Sequence, residues 1–326
     1  MKRPRTLPAF SKAEYVKAHM LLASQVAIMM GRKFEEGDWA HVYCTAKDIP
    51  LRGWSNLNID VMHQGLGVEH KMLCVRSDKN IREHCGTSLM HPAATRSIRI
   101  PTTKGDPTKT ARDVLRQYAE LIRERRQKVA EDSPGTRPSL HTGWLLWQES
   151  LREFLYFEQE TTEPNPAEYY AVWKESGGGA RKTSKNLWVF EQNTDRKRFS
   201  ITTVAGAKIQ PYFDVPPPNN PNLYYFCVQG EELPDGLVRI WITTTTALLL
   251  AQKLGNLDKE TISSAILKVA DALAKLSEDE KRLAALRQDV ARPIVITRDA
   301  YDALRHAFAG VSDEHMFQLF LRFVVQ

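Results

Sequence analysis

The stretch Asn56–Val75, NLNIDVMHQGLGVEHKMLCV, limits the possible folds more than any other part of the chain. Two strand-like runs flank a turn at His63-Gln64-Gly65. In the first run Leu57, Ile59 and Val61 fall on one face, and Asn58, Asp60 and Met62 on the other. The second rises through Leu66, Val68, Glu69 and Lys71 into Met72–Val75, an apolar run that suits a strand covered on both sides. Alternation puts Glu69 and Lys71 on one face, and pairing across the turn lets Asp60 approach them. Two carboxylates and an ammonium then meet at the mouth of a hairpin. A hard cation held beside a phosphate requires such a set.

Asp60, eight intervening residues and Glu69-His70-Lys71 resemble the Asp…Glu-x-Lys signature of the PD-(D/E)xK nucleases, the superfamily that contains most type II restriction endonucleases. The resemblance covers roughly Ser55–Val75, with Ile59 where the family often has Pro. It implies an α/β (α+β) fold, a mixed sheet flanked by helices. It also implies that Asp60, Glu69 and the backbone carbonyl of His70 hold Mg²⁺, and that Lys71 orients or deprotonates water or stabilises developing charge. The products would carry a 5′-phosphate and a 3′-hydroxyl. On a plainer reading the three side chains are the solvated face of an ordinary hairpin, with an ion pair worth about a few tenths of a kcal/mol.

The rest of the chain is compatible with a nucleic-acid partner. Its 326 residues suffice for one large domain or two modest ones, and 42% hydrophobic with 26% charged residues is ordinary for a globular protein. Lys and Arg outnumber acids 45 to 39, a formal charge of +6 that favours a polyanion without demanding one. Cys44, Cys74, Cys85 and Cys227 form no C-x-x-C pair, and Cys85 with His84 and His91 matches no structural zinc spacing. This pattern suits reduced cysteines and a cytoplasmic location. No membrane-spanning segment or targeting sequence is evident.

Ser11 with Glu14 makes a capping box, and Val16, Met20, Ala23, Ala27 and Met30 recur at helical spacing up to Gly31. Glu14 could be that cap alone or an extra metal-binding acid; Glu149 and Glu158 are further candidates for the latter. Trp39–Ala46 alternates well enough for a strand, so the expected order is a helix and then three strands. Thr108–Ala130 is a helix with Val114, Leu115, Tyr118, Leu121 and Ile122 buried and a basic remainder, RERRQK included, that meets either DNA or solvent. The resemblance implies that this helix packs on the sheet. Ser133–His141 reads as a loop, Trp144–Trp147 and Glu153–Glu160 as extended.

Basic residues cluster in three places that suit a phosphate backbone or, equally, solvent. These are Arg76, Arg96, Arg99 and Lys104 after the motif strand, Arg181, Lys182 and Lys185 in a Gly-rich loop, and Arg196, Lys197 and Arg198 at a hairpin tip. Strands are expected at Asn186–Gln192, Arg198–Val204, Lys208–Val215, Tyr224–Gln229 and Val238–Thr243. Their aromatic residues Trp188, Phe190, Phe199, Tyr224 and Phe226 are expected in the core. Helices follow from Thr243 to Leu254, within Ser264–Leu286, at Asp299–Phe308 and at His315–Val325, with a strand at Arg292–Thr297.

The expected organisation is a nuclease core over 1–165 and, over 166–326, a β-rich DNA-recognition region with a helical C-terminal part. The expected activity is Mg²⁺-dependent, sequence-specific hydrolysis of double-stranded DNA by a homodimer, with a cognate DNA methyltransferase in the host. The alternatives are a repair or phage nuclease of the same core, an enzyme acting on another phosphate ester, and a non-catalytic DNA-binding or assembly protein.

Overall fold

The computed structural model describes residues 7–29, 33–50, 59–75, 80–91, 100, 105–176, 184–203, 208–273 and 291–324. Mixed α/β structure fills them, with seven helices and three sheets among the described residues.

Helices α1 (Lys12–Ile28) and α2 (Glu36–Ala46) come first. Ser11 and Glu14 form the capping box of α1 as expected. Its buried stripe differs from the expected one: Ala18, Leu22, Ala23, Val26 and Ala27 face inward, while Val16 and Met20 face solvent. The second helix replaces the strand expected over Trp39–Ala46. Trp39, Val42, Tyr43 and Ala46 are all buried, and their i, i+3, i+4, i+7 spacing makes one helical face. Glu35 and Asp38 close a capping box at its start. The order is therefore two helices and then a hairpin.

That hairpin is β1 (Val61–His63) and β2 (Leu66–Val75), antiparallel with His63 opposite Leu66. Gln64 and Gly65 form its two-residue loop, both with positive φ (48° and 80°), which gives the twist a tight hairpin needs. Helix α3 (Pro107–Asp132) carries the chain back to β4 (Ser139–Gln148), which lies parallel to β2. Strands β5 (Glu153–Glu160) and β10 (Tyr224–Cys227) complete the sheet in the order β1-β2-β4-β5-β10. Three residues expected in a loop, Ser139, Leu140 and His141, thus open a central strand. α3 lies close to the hairpin, where a Cβ on Gly67 would overlap Val129 Cγ2. Ile59, Ile122, Val129 and Leu140 form the small core between helix and sheet.

A second sheet runs β3 (Ser88–Met90), β9 (Lys208–Asp214), β8 (Lys197–Thr202), β7 (Ser184–Glu191), β6 (Tyr169–Ser176). Each half of the chain thus lends a strand to the other: β3 joins this sheet and β10 joins the first. The third sheet is β11 (Glu231–Leu233), β12 (Leu237–Thr243) and β13 (Ala291–Thr297). It packs with α4 (Thr244–Leu254), α5 (Lys259–Leu273), α6 (Arg298–Ala307) and α7 (Asp313–Val324) around Ile240, Ile242, Leu250, Ile296, Leu304 and Phe317. No described helix is long and apolar enough to cross a membrane.

Candidate active site

Because side chains alternate along β2, its two faces carry different chemistry. Glu69 and Lys71 point towards α3. His70 points the other way, into a cluster with Tyr43 and Tyr156, and Trp39 lies beside it.

Asp60 stands just before β1, its backbone N–H donating to Val68 O. Its Oδ2 accepts a 2.6 Å hydrogen bond from the backbone N–H of His70. This bond ties the Asp60 carboxylate to the strand that carries Glu69 and Lys71, both of which act on it electrostatically. Burial raises the Asp60 pKa to about 6; the His70 N–H opposes that rise, while the Glu36 and Glu69 carboxylates add to it. Glu36, in the first turn of α2, is an acid that sequence reasoning missed, because its helix was read as a strand.

Glu69 is held by two cations. Arg125 from α3 grips both oxygens, Nη1 to Oε2 at 2.6 Å and Nη2 to Oε1 at 3.3 Å, and Lys71 Nζ pairs with Oε1. Arg125 was expected among the DNA- or solvent-facing residues of α3, yet its side chain is only 4% exposed. A guanidinium at this depth needs a carboxylate, and Glu69 supplies it. The neighbouring Arg123 and Arg126 pair with Glu163. His91 borders the same face, its Nε2 3.0 Å from Met72 O and its ring against Trp144. Burial lowers its pKa to about 4.

The opposite face holds a closed polar network. Glu158 Oε1 accepts from the hydroxyls of Tyr43 (2.7 Å) and Tyr156 (2.9 Å), and Oε2 lies 2.8 Å from His141 Nδ1. His141 Nε2 in turn meets Ser139 Oγ at 2.9 Å. Burial alone would raise the Glu158 pKa, but the bonds from His141, Tyr43 and Tyr156 outweigh it and hold the carboxylate ionised. Gly143 makes room for the network, since a Cβ there would overlap Tyr156 Oη and His70 Nδ1. His70 is 1% exposed with no hydrogen-bond partner at Nε2, and burial drops its pKa to about 4. Glu158 thus belongs to this closed face, and Glu14 caps α1 beside Lys47 at 3.5 Å. Glu149 is exposed.

Of the expected DNA-binding residues, Arg76, Arg96, Arg99, Lys104, Arg181 and Lys182 lie outside the described residues. Lys185 sits over the Trp173 ring at 4.9 Å. Arg198 and Arg196 pair with Asp214 at 2.9 and 3.7 Å, and Lys197 lies over Trp188. All four cysteines are free, Cys44 and Cys227 buried and Cys74 exposed.

Among the described residues no three His, Cys, Asp or Glu side chains gather as ligands of one metal ion. Asp60, Glu69 and the His70 carbonyl supply two side chains and one main-chain oxygen, all hard donors of the kind Mg²⁺ takes. A cation beside Asp60 would offset the cost of its ionisation, but at Glu69 it would compete with Lys71 and Arg125. The chain matches no protein-family model, no curated protein and no solved structure.

Proposed function

We propose that this chain is a Mg²⁺-dependent, sequence-specific endonuclease of the type II restriction kind. It would act in the cytoplasm as a homodimer on double-stranded DNA, alongside a cognate methyltransferase. The observation that supports the reading is the hydrogen bond from the His70 N–H to Asp60, which ties that carboxylate to the strand bearing the Glu69–Lys71 pair. A bound Mg²⁺ would supply Lewis acidity and a water of lowered pKa. Asp60, Glu69 and the His70 carbonyl would hold it, and Arg125 would fix the Glu69 carboxylate in place. Lys71, 24% exposed at its side chain, is the group that can reach a phosphate oxygen or orient the attacking water.

Incubating plasmid DNA with the protein in Mg²⁺ and, separately, in EDTA tests the reading. Cleavage is expected only with Mg²⁺, and Asp60→Asn, Glu69→Gln and Lys71→Met should each lower it by about 10²-fold or more. Binding of DNA in EDTA should survive in Asp60→Asn and Lys71→Met. One observation favours a second reading. Glu69 already has two cations, so the group could be an internal ion-pair network in a non-catalytic DNA-binding or assembly protein. Intact plasmid under every divalent metal would select that reading.

A further inference from the structure

Among the described residues, α3 covers one face of the second sheet, and no buried apolar cluster forms on the other. Towards α3 it presents Ala171, Leu187, Val189, Phe199, Ile201 and Ile209, buried in one cluster with Ala111, Val114 and Leu115. Strand alternation sends the other side chains outward. They include four aromatic rings, Tyr170, Trp188, Phe190 and Tyr212, each only half-buried and none in a buried cluster of the described residues. Trp188 and Phe190 were expected in the core; the period-2 pattern placed them on a common face but could not tell which face α3 would cover.

The arrangement of these rings is specific. Tyr170 and Phe190 stack at 5.3 Å with 16° between their planes. Trp188 lies under two ammonium groups, Lys197 Nζ at 3.3 Å and Lys174 Nζ at 5.7 Å from its centroid. Lys197 also stands 5.1 Å from the Tyr212 ring, so it bridges two aromatic surfaces. Its partial burial there lowers its pKa to about 8, with no carboxylate contributing. Asp214, the acid at the β9 end of this face, is taken up by Arg198 and Arg196.

We propose that this aromatic face binds single-stranded nucleic acid, the bases stacking on Trp188, Tyr212 and the Tyr170–Phe190 pair and the phosphates meeting Lys197 and Lys174. Half-buried rings grouped on one sheet face leave flat apolar area that a planar partner can cover. Unpaired bases present such planes, and the connecting phosphates carry charge opposite to that of the lysines. A duplex keeps its base faces inside the stack, so the face selects unpaired strands. The inference needs neither a metal nor cleavage and stands apart from the acids around Asp60.

The test is fluorescence anisotropy in EDTA with labelled homopyrimidine oligonucleotides of about 12 nucleotides, as DNA, as RNA and as the matching duplex. Single strands should bind more tightly than the duplex and quench tryptophan emission, and comparing oligo-dT with oligo-rU assigns the sugar. Trp188→Ala should weaken binding by about tenfold and remove most of the quenching, while Trp188→Phe should restore most of the affinity. Lys197→Met should weaken binding and flatten its dependence on salt. These positions are half-exposed, so thermal unfolding should be unchanged, and a variant with altered unfolding is replaced by Tyr212→Ala. Wild-type single-strand binding by Trp188→Ala, or an equal loss of duplex binding in that variant, would overturn the proposal, as would failure of every single-stranded oligonucleotide to bind.

Discussion

Glu69, His70 and Lys71 are neighbours on one strand, yet they take part in two polar clusters of opposite character. On the His70 side each Glu158 oxygen has a donor, the histidine ring is neutral, and helices α1 and α2 close the face. On the Glu69 side Asp60 resists ionisation, chiefly because it is buried, with the Glu36 and Glu69 carboxylates adding to that resistance. The difference separates a scaffold from a site. A buried anion whose bonds are complete stabilises the packing around it, whereas a carboxyl that burial keeps from ionising leaves a need that a cation or a proton can meet.

The sharpest way to break this comparison is to open the closed face. Glu158→Ala strands the Tyr43 and Tyr156 hydroxyls and His141 without their common acceptor, and should cost about 3–5 kcal/mol in urea unfolding. A loss below about 1 kcal/mol would mean that the network is not a scaffold.

A pH series tests both faces through their histidines. His70 and His91 each titrate near 4 in the folded protein, against an ordinary value of 6.5. The unfolded chain therefore takes up protons first. Stability from these groups is complete above about pH 6.5 and is lost as pH falls towards 4, by at most about 3 kcal/mol each. Asp60 and Asp313 work in the opposite direction, because burial lifts both to about 6 from 3.8. Their folded forms bind protons more tightly, so their contribution is full below pH 3.8 and declines as pH rises through 6. In Asp313→Asn that rising-pH loss should shrink, as read from melting temperature between pH 4 and 7.

Asp60→Asn sets the faces against each other directly. Removing a charge that its surroundings disfavour should leave metal-free stability at pH 7 unchanged or raise it by about 1 kcal/mol, while abolishing any Mg²⁺-dependent cleavage. Destabilisation on the scale of Glu158→Ala would place Asp60 with the scaffold instead.

How much of this the sequence revealed depended on the range of the interaction. The Gln64-Gly65 turn, the Ser11–Glu14 cap, the α3 helix and the placing of Glu69 and Lys71 on one face all follow from period and spacing along the local chain. Trp39–Ala46 failed because Trp39, Val42, Tyr43 and Ala46 satisfy a helical face as well as the run satisfies alternation, and the Glu35–Asp38 cap that decides it lies just upstream. Arg125 looked like one cation in a basic run; its role comes from an acid 56 residues away in sequence. The closed network is less legible still, since Tyr43, His141 and Glu158 read separately as a strand aromatic, a loop histidine and an optional metal acid. Only the antiparallel pairing of β4 with β5 and the covering by α2 bring them together.

The smallest predicted effect concerns Glu36. It is exposed, no hydrogen bond between it and Asp60 is present, and water screens its field. If it acts on Asp60 through that field alone, Glu36→Gln should lower the Asp60 pKa in the metal-free protein by only a few tenths of a unit, on the order of 0.5 kcal/mol. A carboxyl NMR titration would show the shift. Cleavage should then fall by less than about tenfold. A loss as deep as that of Asp60→Asn would instead make Glu36 a third metal-binding acid. The Glu69 side would then draw its chemistry from α2 as well as from the hairpin, and the helix that the sequence disguised as a strand would be part of the site.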